Sequence, residues 1–158
     1  MQGVIIKALE PIMDDRGMLM EILREDDLDM HTPSESMNMR MDLINFGQCY
    51  LSTVQPGIVK AFHLHKKQTD RICCIKGNIK LVVAKPTLGG YCDIKVIYLG
   101  ERDPKIVKIG PDIWHGWTPI DDQEAFILNL PDRAYDYNHP DEWRTSYDKW
   151  YDWEVRNK

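Results

Sequence analysis

GIVKAFHLHKKQTDRICCIKG, residues 57–77, is the stretch on which the rest of the chain depends. It holds two histidines one residue apart, His63 and His65, then a carboxylate, Asp70, with Gly57 and Gly77 at its ends. Side chains alternate faces along a strand, so a strand over 59–65 sends His63 and His65 the same way as Ala61. Two imidazoles aimed into one cavity are not needed as filler. Ile79, Leu81 and Val83 supply ordinary apolar packing just downstream. The competing reading is a pair of solvent-facing histidines on an edge strand.

The chain's 158 residues suit one domain, 1–158, with a sizeable core. A net charge of −5 argues against a nucleic-acid partner, which needs a basic face. No apolar run reaches the roughly 18 residues that cross a bilayer. MQGVIIKALEP has neither a basic start nor a long apolar stretch, so no signal peptide is expected. Cys49, Cys73, Cys74 and Cys92 form no CxxC pair. They read as buried free thiols in a reducing cytoplasm.

The remainder reads as short strands between turns. Strands are expected at 3–9, 19–24, 48–54, 71–75, 79–84, 93–99, 105–109, 113–118 and 125–130, besides the histidine strand. Lys76-Gly77-Asn78 is expected to close a hairpin. In the second strand Glu21 sits between Leu19 and Leu23 and wants a partner, either Arg16 or a ligand. Residues 25–29 and 30–41 read as an acidic loop followed by a methionine-bearing one. The tail from Pro131 reads as a wrapped segment with one helical turn over 140–144. About ten short strands with turns every eight to twelve residues imply an all-β sandwich or barrel.

Two histidine segments, each preceded by a Pro-containing turn, resemble the two motifs of the cupin jelly roll. Gly57, His63, His65, Asp70 and Gly77 fit the first motif, with Asp where Glu is usual. Gly110-Pro111-Asp112-Ile113-Trp114-His115 keeps the histidine of the second. A closer likeness runs through five pieces in order: DDRGMLMEI (14–22), FGQCYLSTVQPGIVKAFHLH (46–65), IKGNIKLVV (75–83), DIWHGW (112–117) and YDYNHPDEW (135–143). Together they resemble the dTDP-4-dehydrorhamnose 3,5-epimerase family of sugar-nucleotide cupins. The resemblance implies a homodimer of jelly rolls whose N-terminal strands cross to the partner, a nucleotide-sugar substrate and no cofactor.

It also implies roles. The family reaction takes a proton from a carbon beside a 4-keto group and returns it on the other face, which needs a base, an acid and a holder for the enolate oxygen. His63 matches the base. Tyr137 is the better match for the acid, with Tyr135 close beside it. Arg16, Glu21 and Gln48 match nucleotide-contacting positions, and Lys60 stands where the family has Arg. His65, Asp70 and His115 are expected to shape the pocket. Three positions depart from the pattern. Asp70 falls at or beside the enolate-stabilising Lys, Leu128 replaces a second tyrosine, and the Asp that orients the base is missing from its usual place near the C-terminus. Asp70 or another pocket acid would then have to orient His63. His65 replaces a usual Gln, and the His-x-His form occurs in related sugar-nucleotide 3,4-ketoisomerases, the alternative within the same chemistry. An alternative outside it is a metal-binding cupin using His63, His65, Asp70 and His115.

Overall fold

The computed structural model describes residues 1–24 and 46–154. The acidic and methionine-bearing loops expected over 25–41 fall outside the described residues. No described residue is helical, so no helix is long and apolar enough to cross a membrane.

Twelve strands follow in order: β1 (Val4–Ala8), β2 (Ile12–Asp14), β3 (Gly17–Leu19), β4 (Tyr50–Val54), β5 (Lys60–Leu64), β6 (Asp70–Lys76), β7 (Asn78–Pro86), β8 (Cys92–Gly100), β9 (Lys105–Ile109), β10 (Trp114–Pro119), β11 (Ala125–Asn129) and β12 (Trp143–Arg144). They form two five-stranded sheets, β1-β9-β6-β11-β4 and β12-β5-β10-β7-β8, with β2 and β3 as a separate ribbon. Every pairing is antiparallel. The all-β jelly-roll expectation is met.

Alternation explains the core. Ile72, Cys74, Val107, Ile109, Ile127 and Val54 of the first sheet meet Ile79, Leu81, Val83, Ile97, Leu99 and Trp117 of the second. The outer face of the second sheet is covered too. Phe62, Val82 and Ala84 pack under the C-terminal aromatics, Trp153 foremost. The Phe62 ring lies 5.4 Å from Trp150 and 5.6 Å from Trp153. Each such buried side chain contributes on the order of 1.5–3 kcal/mol.

Four local expectations are corrected. β6 and β7 are not a hairpin: β6 pairs with β9 and β11, β7 with β8 and β10. Gly77, at φ 72°, turns the chain from one sheet into the other. The expected strand over 19–24 is displaced, because Asp14, Asp15, Arg16 and Gly17 make the turn of the tight β2–β3 ribbon and residues 20–24 leave it. The expected helical turn over 140–144 is instead β12, which pairs Trp143 with Leu64 and Arg144 with His63. Of the four cysteines, Cys73 and Cys74 are buried, but Cys49 is exposed and Cys92 only partly covered.

Candidate active site

The histidine strand is β5, and β10 lies beside it with His115 directly opposite His63 and Val83. The two strands approach closely because residue 116 is glycine; a Cβ there would collide with Ala61. The His63 and His115 rings consequently sit 4.1 Å apart, and His63 also meets Trp117 at 5.6 Å and His65 at 5.7 Å.

The facing sheet delivers the carboxylate. Asp70 opens β6 on the parity of Ile72 and Cys74, so it enters the same interior and is fully buried. Its Oδ2 lies 3.1 Å from His115 Nε2 and 3.3 Å from His65 Nε2. Its Oδ1 accepts from Gln68 Nε2 at 2.8 Å and from Asn129 Nδ2 at 3.0 Å. Asn129 is aimed by the Arg71 backbone N–H, which donates to its Oδ1 at 3.1 Å, and its amide also donates to the Tyr50 hydroxyl at 2.7 Å. Both imidazoles are fixed at their far side. His115 Nδ1 donates to the Ile113 carbonyl at 2.9 Å, and His65 Nδ1 to the Asp141 carbonyl. Asp141 does more: its carboxylate accepts the backbone N–H of Lys66, Lys67 and Gln68 at 2.8–3.0 Å.

Electrostatics divides the three histidines. Burial, then the charge on His115, holds the His63 imidazole well below its usual pKa, so it stays unprotonated near pH 7. Burial opposes charge on His65 as well, but the hydrogen bond and charge of Asp70 outweigh it and raise the pKa. Burial would raise Asp70, yet its bonds to His115 and His65 hold it well below the carboxylate range. Tyr50 is pushed up to about 12 by burial and then by the charge of Asp70.

His65 also lines a cleft of about 230 Å³ with Gln68, Arg133, Tyr135, Asp136 and His139. His63, His65, Asp70 and His115 therefore stand together as expected, but Asp70 bonds His65 and His115, and no carboxylate hydrogen-bonds His63 among the described residues. Gln48 is close by; its Oε1 accepts the Tyr135 backbone N–H at 3.2 Å. Lys60 reaches across to β4, donating to Ser52 Oγ at 3.2 Å and to the Thr53 carbonyl. Tyr135 lines the cleft, whereas Tyr137 is 87% exposed, because the Asp136 carboxylate caps the N–H groups of Asn138 and His139 and turns the chain outward. The two tyrosine rings touch edge to face at 5.0 Å. Arg16 and Glu21 do not join the cluster in this chain. Arg16 is exposed and paired with Asp14, and Glu21 pairs with Arg24 rather than Arg16. Leu128 pairs across to Leu51 and Cys73 on the opposite parity from Asn129, so its side chain leaves the interior.

Four participants escaped the sequence reading: Gln68, Asn129, Tyr50 and Asp141. The parity of 48–54 and of 125–129 already carried the signal for Tyr50 and Asn129. Asp141 gave none, since its role depends on where the tail returns.

Known proteins agree with this picture. The family described as "Polysaccharide biosynthesis C-terminal domain" matches residues 35–143. The probable low-salt glycan biosynthesis epimerase Agl13 of Haloferax volcanii is 32% identical over 151 residues, covering 92% of this chain and 87% of that protein. Among solved structures, dTDP-4-dehydrorhamnose 3,5-epimerase from Sulfolobus tokodaii superposes with a TM-score of 0.76 at 21% identity, over 98% of this chain and 83% of that one. The sugar 3,4-ketoisomerase QdtA from Thermoanaerobacterium thermosaccharolyticum, solved with TDP, gives 0.66 at 23% identity, over 91% and 89%. With a buried His–Asp cluster on cupin strands and these matches, the chain belongs to the polysaccharide biosynthesis C-terminal domain family, as a divergent member of the cupin sugar epimerases.

Proposed function

We propose that the protein epimerises a nucleotide-linked 4-keto-6-deoxy sugar at its 3- and/or 5-position, in the building of a surface glycan. The observation that carries this is His63: an unprotonated imidazole at the polar end of the interior, its ring 5.7 Å from that of His65, which lines the cleft holding Tyr135. His63 is the base. A carbon acid next to a ketone needs an imidazole of unprotonated form within reach, and burial keeps it so. The returning proton comes from the Tyr135–Tyr137 pair, with Tyr135 nearer the cleft. Gln48 holds Tyr135 in place through its backbone. Lys60 and the cleft's Arg133 offer positive charge to a diphosphate.

A homodimer fits the exposure of the N-terminal ribbon. Ile12, Met13, Met18 and Leu19 are 60–77% exposed, and Phe46 and Leu51 are exposed as well. Crossing of that ribbon to a partner subunit is what would bring Arg16 and Glu21 to a nucleotide. Keto-group migration between carbons 3 and 4 is the second reading, favoured by His65 in the His-x-His pair and by the likeness to the ketoisomerase.

Solvent deuterium uptake decides between them. The protein is incubated with dTDP-4-keto-6-deoxyglucose in heavy water and the ring protons are followed by NMR. Exchange at carbons 3 and 5 establishes the double epimerase. Exchange at carbon 3 alone points to a single-centre epimerase or the ketoisomerase, which the position of the product's keto group separates. No exchange at either carbon overturns this substrate assignment.

A further inference from the structure

We propose that Tyr50 is a further catalytic residue, the hydroxyl that holds the sugar's 4-oxygen while that oxygen carries enolate charge. The proposal rests on the epimerase reading and deepens it.

A carbon acid beside a ketone needs a hydrogen-bond donor at the carbonyl oxygen, and none of the residues given a role so far supplies one. The nearby cations are engaged elsewhere. Lys66 pairs with Asp112, Arg144 with Glu142, and Lys60 bonds Ser52 and Thr53. The wall across from His63 offers a hydroxyl instead. Tyr50 shares strand parity with Val54, a core residue, so it turns into the interior from β4. β4 belongs to the first sheet and β5, which carries His63, to the second. A relay of hydrogen bonds joins the two walls. It runs from Tyr50 through Asn129 and Asp70 to His115, whose ring lies 4.1 Å from that of His63.

The direction of the hydrogens decides what Tyr50 can do. The Arg71 backbone N–H donates to Asn129 Oδ1 at 3.1 Å, which fixes the amide with its nitrogen toward Asp70 and Tyr50. One Nδ2 hydrogen goes to Asp70 Oδ1 at 3.0 Å and the other to the Tyr50 oxygen at 2.7 Å. Tyr50 is therefore an acceptor within the relay, and its own hydrogen is left to give. Among the described residues none takes that hydrogen. Burial, then the charge of Asp70, pushes the Tyr50 phenol up to about 12; Glu142 adds to the rise and the Asn129 bond opposes it. The hydroxyl thus stays a neutral donor near pH 7. Asn129 is 2% exposed and Tyr50 40%, so the relay is anchored in the core and ends at the rim.

The electron count follows. As His63 takes the proton from carbon 3 or carbon 5, the C–H pair becomes a carbon–carbon double bond and the carbonyl π pair moves onto the 4-oxygen. Tyr50 donates a hydrogen bond to that oxygen and keeps its proton. When the carbon is reprotonated, the pair returns to the carbonyl. The contact is strongest while the oxygen is charged, which is where it lowers the barrier.

The test is deuterium exchange from dTDP-4-keto-6-deoxyglucose by the full chain, at several substrate concentrations so that kcat and KM separate. Tyr50→Phe should lower kcat by about 10²–10³-fold and change KM by less than about threefold. Tyr50 stands at the rim, so loss of one oxygen should leave the melting temperature nearly unchanged. dTDP has no keto group, so its affinity, measured by calorimetry, should also be nearly unchanged. Exchange by Tyr50→Phe within about threefold of wild type overturns the proposal. A loss confined to KM overturns it too, since that reports ground-state binding alone. So does a loss that travels with the melting temperature or the dTDP affinity, since that reports a structural role. No exchange by the wild-type chain at either carbon is the separate failure of the epimerase reading, and this role falls with it.

Discussion

The two ends of the barrel's interior share strands and differ in chemistry. β7 and β10 pair without interruption from Ile79–Pro119 to Ala84–Trp114. At the first end Ile79, Val54 and Ala125 close the core. At the other, the same faces carry His115 beside His63, opposed by Asp70 and Asn129. The backbone ladder does not change; only the residues on it do. A site built this way borrows its rigidity from the apolar end and puts a buried carboxylate where amides and imidazoles can satisfy it. One end should therefore govern stability and the other turnover, and substitutions can separate the two.

The largest effect is expected at the polar end. His63→Ala should lower turnover by about 10²–10⁴-fold with the melting temperature nearly unchanged, measured by deuterium exchange and by thermal unfolding. Retained turnover removes His63 from its role. The mirror experiment is Leu81→Ala at the apolar end, where Leu81 is fully buried. It should cost about 2–5 kcal/mol in denaturant unfolding while leaving the rate per folded molecule close to wild type. Equal loss of rate and stability in both variants would erase the division. A finer cut lies between the two tyrosines. Tyr135→Phe should slow exchange by roughly 10–100-fold and Tyr137→Phe by less than about threefold, on the general acid scale; the reverse order would return the acid to Tyr137. The smallest effect concerns thiols. Burial pushes Cys73 up to about 11 and Cys74 up to about 12, whereas Cys49 is exposed. An aromatic disulfide reagent should label Cys49 at once and Cys73 and Cys74 only on unfolding.

Much of this division was readable from residues. Period-two alternation located the strands because each sheet has one face committed to the core, so parity and burial coincide. The His63, His65, Asp70 and His115 grouping followed from spacing and resemblance. Partner choice was not readable. Which carboxylate meets which imidazole depends on sheet order, and β6 lies across the interior from β5 rather than beside it. That is why Asp70 serves His65 and His115 and not His63. The turn at Gly77 looked like a hairpin because a hairpin and a sheet-to-sheet crossover both ask for the same positive φ. The tail was illegible for another reason. β12 is two residues long and owes its strand conformation to β5, not to any pattern of its own.

Asp141 sits just ahead of that short strand and gathers the N–H groups of Lys66, Lys67 and Gln68 on a single carboxylate. Three neighbouring amides so held have one protector in common. Their hydrogens should exchange with solvent as a unit, at a rate set by how often the tail lifts from β5 rather than by local breathing of the loop. Asp141→Ala should release all three together and, through the lost anchor, free the His65 ring to turn.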